Sequence, residues 1–285
     1  MHTCFQDGTT LIAQASERMG SSNDESATNL VQRSSTDQGK TWGPLTLVVK
    51  SSLKVDGLSG MSSAPWSLVD DTTGEMFLFY NANSTGGQKC TCGVAAVSSN
   101  DNGKTWSPPV SSGLVGSSLT TGITLVIGAH AGRLVTCMRK ICKNSCSPPY
   151  HSYSAYSDDN GKTWHASHFL AAGTTECQVA ELSDGTVYMT SRPLSYNHTN
   201  SRLFATSKDG GASWGPVQIE PALTASGGCA GSIVQNPTAG GAAAKTAYFS
   251  HPDAPGRTNM TVCVNRKTLP PENLLEDTDG LLRPP

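Results

Sequence analysis

Four copies of one short phrase limit what this chain can fold into more than any other feature. SSTDQGKTWGP (34–44), SSNDNGKTWSP (98–108), YSDDNGKTWHA (156–166) and TSKDGGASWGP (206–216) share the form Ser-x-Asp-x-Gly-x-Thr/Ser-Trp. The chemistry suits a tight turn: the aspartate accepts hydrogen bonds from backbone two residues on, and the glycine takes positive φ. The tryptophan is then expected to fold back into the core. A run with strand character precedes each copy, LVQR (30–33), CGVAAV (92–97), HSYSAY (151–156) and RLFAT (202–206), so each box is expected to clasp a strand pair.

Between the boxes lie MFLFYN (76–81), RLVTCM (133–138), GTVYMTS (185–191) and TAYFSH (246–251), each flanked by Gly, Asp or Asn, and helical periodicity is nearly absent. The box tryptophans Trp42, Trp106, Trp164 and Trp214 stand 64, 58 and 50 residues apart, near the upper end of the propeller-blade period. A four-stranded unit repeated around an axis, each burying its faces against its neighbours, is a β-propeller. The 285 residues are enough for a sizeable core, and the repeats favour one domain.

Composition narrows the partners. Hydrophobic residues make up 36%, charged residues 15%, and the net charge is -2, without the basic surplus that nucleic acid or an anionic membrane requires. No window of 18 apolar residues occurs, and MHTCFQDGTT (1–10) has neither a basic start nor an apolar run, so neither a membrane-spanning segment nor a signal peptide is expected. Cys4, Cys90, Cys92, Cys137, Cys142, Cys146, Cys177, Cys229 and Cys263 form an odd set, so at least one thiol is free or pairs between chains. Their spacings are not the paired CxxC of zinc folds. One or two loop disulfides are expected in place of a metal site, and no cofactor is expected. Sequons at Asn83, Asn197 and Asn259 suit a secreted or lumenal protein and leave the compartment open.

The boxes resemble the Asp boxes of the sialidase (neuraminidase) superfamily, which implies a six-bladed propeller. Such boxes also occur in propellers without that activity, but segments outside them extend the likeness to the exo-α-sialidase family. DGTTLIAQASER (7–18) resembles the family strand that ends in an active-site arginine, which falls on Arg18. Six residues on, Asp24 occupies the place of the family's acid/base aspartate. GITLVIGAHAGRLV (122–135) looks like the approach to the third blade, with Thr124 where a glutamine is common. TTECQVAELSDGTVYMTSR (174–192) is similar to the catalytic stretch, in which Glu176 would polarise a tyrosine nucleophile and Arg192 would belong to an arginine triad. SHPDAPGRTNMTV (250–262) resembles the segment with the last triad arginine, Arg257.

The resemblance implies retaining hydrolysis of terminal sialic acid from glycoproteins, glycolipids or oligosaccharides, with sialylated glycans as partners. A non-catalytic propeller that binds sialoglycans or a protein through the same face is the alternative. Read locally, Asp24 in SSNDES also suits a turn, the arginines also suit salt bridges, and His251 and Pro65-Trp66 suit packing. The likeness covers residues 5–262 and departs at both ends. The first arginine in the chain is Arg18, so the first triad arginine has no counterpart, and no tyrosine follows Tyr248 to serve as nucleophile. The expected arrangement is a propeller over 1–263, incomplete at both termini, with boxes at 35–42, 99–106, 157–164 and 207–214, and a divergent Pro-rich tail over 264–285.

Overall fold

The computed structural model describes residues 2–5, 10–20, 22, 26–53, 55, 58–61, 65–84, 92–141, 150–194, 200–225, 228–235, 247–254 and 257–265. Every strand-like run named above that falls on these residues forms a strand. The first sheet holds β1 (His2–Phe5), β2 (Leu11–Arg18), β3 (Thr28–Ser35) and β4 (Thr46–Val49) in that order. The second holds β5 (Leu58–Met61) and β6 (Trp66–Val69), which both pair with β7 (Met76–Ser84), then β8 (Cys92–Ser99) and β9 (Val110–Val115). The third holds β10 (Ile123–Thr124), β11 (Leu134–Ile141), β12 (Tyr150–Ser157) and β13 (His165–Ala166).

β14 (Thr174–Glu181), β15 (Val187–Pro193), β16 (Ser201–Ser207) and β17 (Gln218–Thr224) make the fourth sheet. The fifth has β18 (Ser232–Gln235), β19 (Ala247–Ala254) and β20 (Thr258–Asn265). Sequential antiparallel pairing, interrupted only where β5 and β6 share β7, is the meander of propeller blades. Five such sheets are found among the described residues, one fewer than the six expected. The only helix among them is a single 3-10 turn, Gly128–His130, and none is long and apolar enough to cross a membrane.

The core lies between sheets. Leu30 and Val49 meet Leu78, Tyr80 and Val97 between the first and second; Trp66, Phe77 and Phe79 meet Leu134, Met138 and Tyr153 between the second and third. Leu125, Val135 and Leu170 meet Val179, Val187 and Met189, and beyond them Tyr188, Phe204 and Leu223 meet Ile233 and Phe249. A sheet covered on both faces reads as continuous burial instead of alternation, and β15 is buried at every residue but Arg192. That is why punctuation by Gly, Asp and Asn marks these strands better than period two does.

The boxes fasten neighbouring sheets. In the first, Ser35 Oγ donates to Asp37 Oδ1 and accepts from Gly39 N, while Asp37 accepts Thr41 N and Thr41 Oγ1 at 2.9 and 2.6 Å. The same net recurs at Asp101, Asp159 and Asp209. Three residues before the box serine, a side chain reaches the next box: Gln32 Nε2 donates to Gly103 O, and Ser154 Oγ donates to Gly211 O and accepts Trp214 Nε1. Trp106, Trp164 and Trp214 pack into the intersheet cores, but Trp42 is 37% exposed, against the expectation that every box tryptophan returns to the core. The later three each have the preceding sheet to rest on.

The disulfide among the described residues joins Cys137 on β11 to Cys177 on β14, bridging the third and fourth sheets, where loop disulfides were expected. Cys229 and Cys263 are free. Trp66 is fully buried, and buried His251 packs at a tilt against Phe249, so both act as packing residues. The tail beyond 265 lies outside the described residues.

Candidate active site

Antiparallel pairing sends alternate turns to opposite ends of a sheet. The boxes follow the third strands, so the ends of β2, β11, β15 and β19, and the starts of β14 and β16, gather at the other end. Arg18, Arg139, Arg192, Arg257, Glu176 and Arg202 lie on these segments.

Glu176 is placed there by a bulge. Thr175 pairs with Arg192 and Cys177 with Ser191, so Glu176 is the extra residue in β14, with φ 39°. A bulge leaves its residue outside the ladder and re-aims its side chain. Positive φ on a residue with a Cβ costs about 1–2 kcal/mol and persists where the surroundings impose it. Among the described residues the non-glycine positions with positive φ are box-turn residues (Gln38, Asn102, Asn160) or lie at this end (Glu176, Arg257, Asn259).

Two guanidinium groups hold the carboxylate. Arg192 Nη1 donates to Glu176 Oε2 at 2.7 Å, and Arg139 Nη1 reaches Oε1 at 3.3 Å from the neighbouring sheet. Beneath them Arg202 is almost completely buried. Its Nε donates to Thr190 Oγ1 at 2.8 Å, Nη1 to Cys229 O at 3.2 Å and Nη2 to Glu176 O at 3.4 Å, and the guanidinium lies 5.2 Å from the Phe249 ring centre. Burial pulls its pKa down to about 10, so it remains a cation at neutral pH. Arg202 therefore ties the bulge to the segment containing Gly228.

That segment brings in Arg257. Gly228 O accepts Arg257 Nη2 at 3.3 Å, while a Cβ at Gly228 would stand 2.8 Å from Arg192 Nη2. Arg192 and Arg257 thus both reach one glycine. Of the residues expected from the sequence, the contacts join Glu176, Arg192 and Arg257. Arg18 closes β2 at the same end on the first sheet, with Nη1 donating to Ser22 O. Asp24, whose flanking strands β2 and β3 meet at this end, lies outside the described residues. Two of the three tyrosines of β12 face other work: Tyr153 donates to Val115 O, and Tyr156 carries Arg133 at 4.4 Å.

Arg139 and Arg202 were not singled out in the sequence. Their only signal is a charge inside a strand run, TCMRKI and RLFAT. Several guanidinium groups around one carboxylate leave a net positive end, with planar donors suited to bidentate capture of a second carboxylate.

Comparisons with known proteins identify the family. The model of the BNR repeat-like domain family matches residues 9–269. The chain is 33% identical to a sialidase of Micromonospora viridifaciens over 78% of its own length and 37% of that protein's. It is 30% identical to Sialidase-2 of Cricetulus griseus, over 92% of this chain and 75% of the relative. Among solved structures, the Hadza microbial sialidase Hz136 superimposes with a TM-score of 0.76 at 25% identity, over 93% of this chain and 55% of that one. The chain thus spans little more than a third of the bacterial relative and three quarters of the mammalian one.

Proposed function

The chain belongs to the sialidase family, built on BNR repeat-like sheets, and on that premise we propose that it is an exo-α-sialidase. In this reading it releases terminal sialic acid from glycoproteins, glycolipids or oligosaccharides with retention of configuration. The observation that carries the reading is Arg192 and Arg257 meeting at Gly228, beside a Glu176 held by two cations.

A sialic acid bears a carboxylate on its anomeric carbon. Arg192 and Arg257, with Arg18 at the same end, bind that anion and orient the ring, since charge-assisted bidentate contacts fix geometry as well as charge. A carboxylate nucleophile would be repelled by the substrate's own carboxylate, and sialidases use a tyrosine instead. Glu176 is placed to accept the phenol proton of such a tyrosine where one is supplied. Asp24 protonates the leaving oxygen and later takes a proton from the incoming water. No tyrosine stands at the family's position after Arg257 in this sequence, and the reading assigns no residue to that step.

The test is release of a fluorophore from an aryl α-sialoside by the purified chain, measured against a buffer blank. Glu176→Gln and Arg257→Ala should each abolish release while the unfolding midpoint stays within a few degrees, and proton NMR should show α-sialic acid as the first product. Binding without release would favour the non-catalytic propeller. Parallel loss of folding and release would assign these residues a structural role.

A further inference from the structure

We propose that Arg139 is the positioning residue for Glu176: it fixes the carboxylate from the neighbouring sheet so that Arg192 meets it in one orientation. The proposal rests on the role given to Glu176 above. It starts from the bulge. Glu176 stands outside the β14–β15 ladder at φ 39°, so strand pairing does not hold it. Arg192 holds Oε2 through Nη1. A carboxylate held at one oxygen can swing about that contact, and a second donor on the other oxygen removes the freedom. Arg139 Nη1 supplies it, 3.3 Å from Oε1.

Arg139 is itself braced. Its Nε donates to Ser117 Oγ at 2.9 Å, and its backbone exchanges hydrogen bonds with Ser117 in both directions, at 2.7 and 3.0 Å. Ser117 is buried. Gly116 permits this approach: a Cβ there would lie 2.6 Å from Arg139 O, and its φ is 142°. The joint between the two sheets is closed as well. The disulfide from Cys137 to Cys177 sits two residues before Arg139 and one after Glu176, with both cysteines buried. The Arg139–Glu176 pair therefore spans two strands that are packed together and covalently joined beside it. A merely solvated arginine needs neither the anchor nor the closed joint.

The role also leaves Arg192 available. Because Arg139 satisfies Oε1, Arg192 engages Glu176 through Nη1 alone, and its Nη2 faces Gly228 and the side where Arg257 sits.

Arg139→Met, Arg139→Lys and Ser117→Ala test this by crystallography and by kinetics on the aryl α-sialoside. Arg139→Met should move the Glu176 carboxylate by about 1 Å or more. It should lower kcat on the order of 10–100-fold, the scale of such a misplacement, with KM nearly unchanged. Arg139→Lys should restore the carboxylate position and most of kcat. Ser117→Ala, a small change that frees only the Nε anchor, should shift Glu176 in the same direction by less, and it decides the matter if Arg139→Met fails to fold. A Glu176 that stays in place in Arg139→Met or Ser117→Ala overturns the proposal, as does an Arg139→Lys enzyme no better than Arg139→Met. Absence of turnover in the unaltered chain would count against the proposed function and leave the crystallographic comparison to decide Arg139.

Discussion

At the scale of single residues, the site depends on backbone conformations that side chains rarely adopt. Gly228 is the sharpest case: at φ +61° with Arg192 Nη2 2.8 Å from where a Cβ would stand, it leaves room for a guanidinium that no other residue would leave. Gly228→Ala should therefore cost about 1 kcal/mol in stability. It should also weaken binding of a sialic acid about tenfold by displacing Arg192, as read by urea unfolding and calorimetric titration. Unchanged affinity would show that the Arg192 position does not matter to binding. Glu176, Arg192 and Arg257 were legible in the sequence because family segments fix their order. Arg139 and Arg202 were not, because their effect depends on β11 lying against β14 and on Cys229 lying over β16, neither of which is a property of local sequence.

At the scale of the element, the boxes were legible and the bulge was not. Ser-x-Asp-x-Gly encodes its own hydrogen-bond net, so four short stretches announce four turns wherever they fall. The bulge at Glu176 carries no such signature, since TTECQVAE reads as an uninterrupted strand. The break between β5 and β6 was equally silent. The box carboxylates also carry a pH signature. The Thr41, Thr105 and Thr163 hydroxyls, then the backbone amides of the same residues, bring Asp37, Asp101 and Asp159 down to about 2. A carboxylate lowered in the folded state stabilises it above the unfolded value near 4, and that contribution is lost as pH falls through the folded one. Asp101→Asn should accordingly lie furthest below the unaltered chain in urea midpoint at pH 6, with the gap closing between about pH 4 and 2. A gap that stays constant across that range would remove the carboxylate's charge from the explanation.

At the scale of the whole molecule, sheets packed face to face present one end made of boxes and another made of arginines. The sequence indicated the architecture through the repeats and left its sheet count open, because boxes mark only four of the five sheets described; the fifth has none. Among the described residues one covalent bond crosses between sheets. Cys137 and Cys177 are separated by 40 residues, and closing a loop of that size restricts the unfolded chain by about 4 kcal/mol. The double variant Cys137→Ala/Cys177→Ala should lose about that much unfolding free energy in urea, whereas a loss below about 1 kcal/mol would mean that packing alone holds the third and fourth sheets together.

The central claim is that fixed guanidinium groups beside Glu176 grip the carboxylate of an acidic sugar. Calorimetric titration with sialic acid and with its methyl ester, side by side, tests it most directly. The ester removes the charge and keeps the ring, and hydrogen bonds to charged groups contribute about 1.5–3 kcal/mol. The acid should therefore bind at least about tenfold more tightly than the ester. Equal affinity for the two would contradict the account.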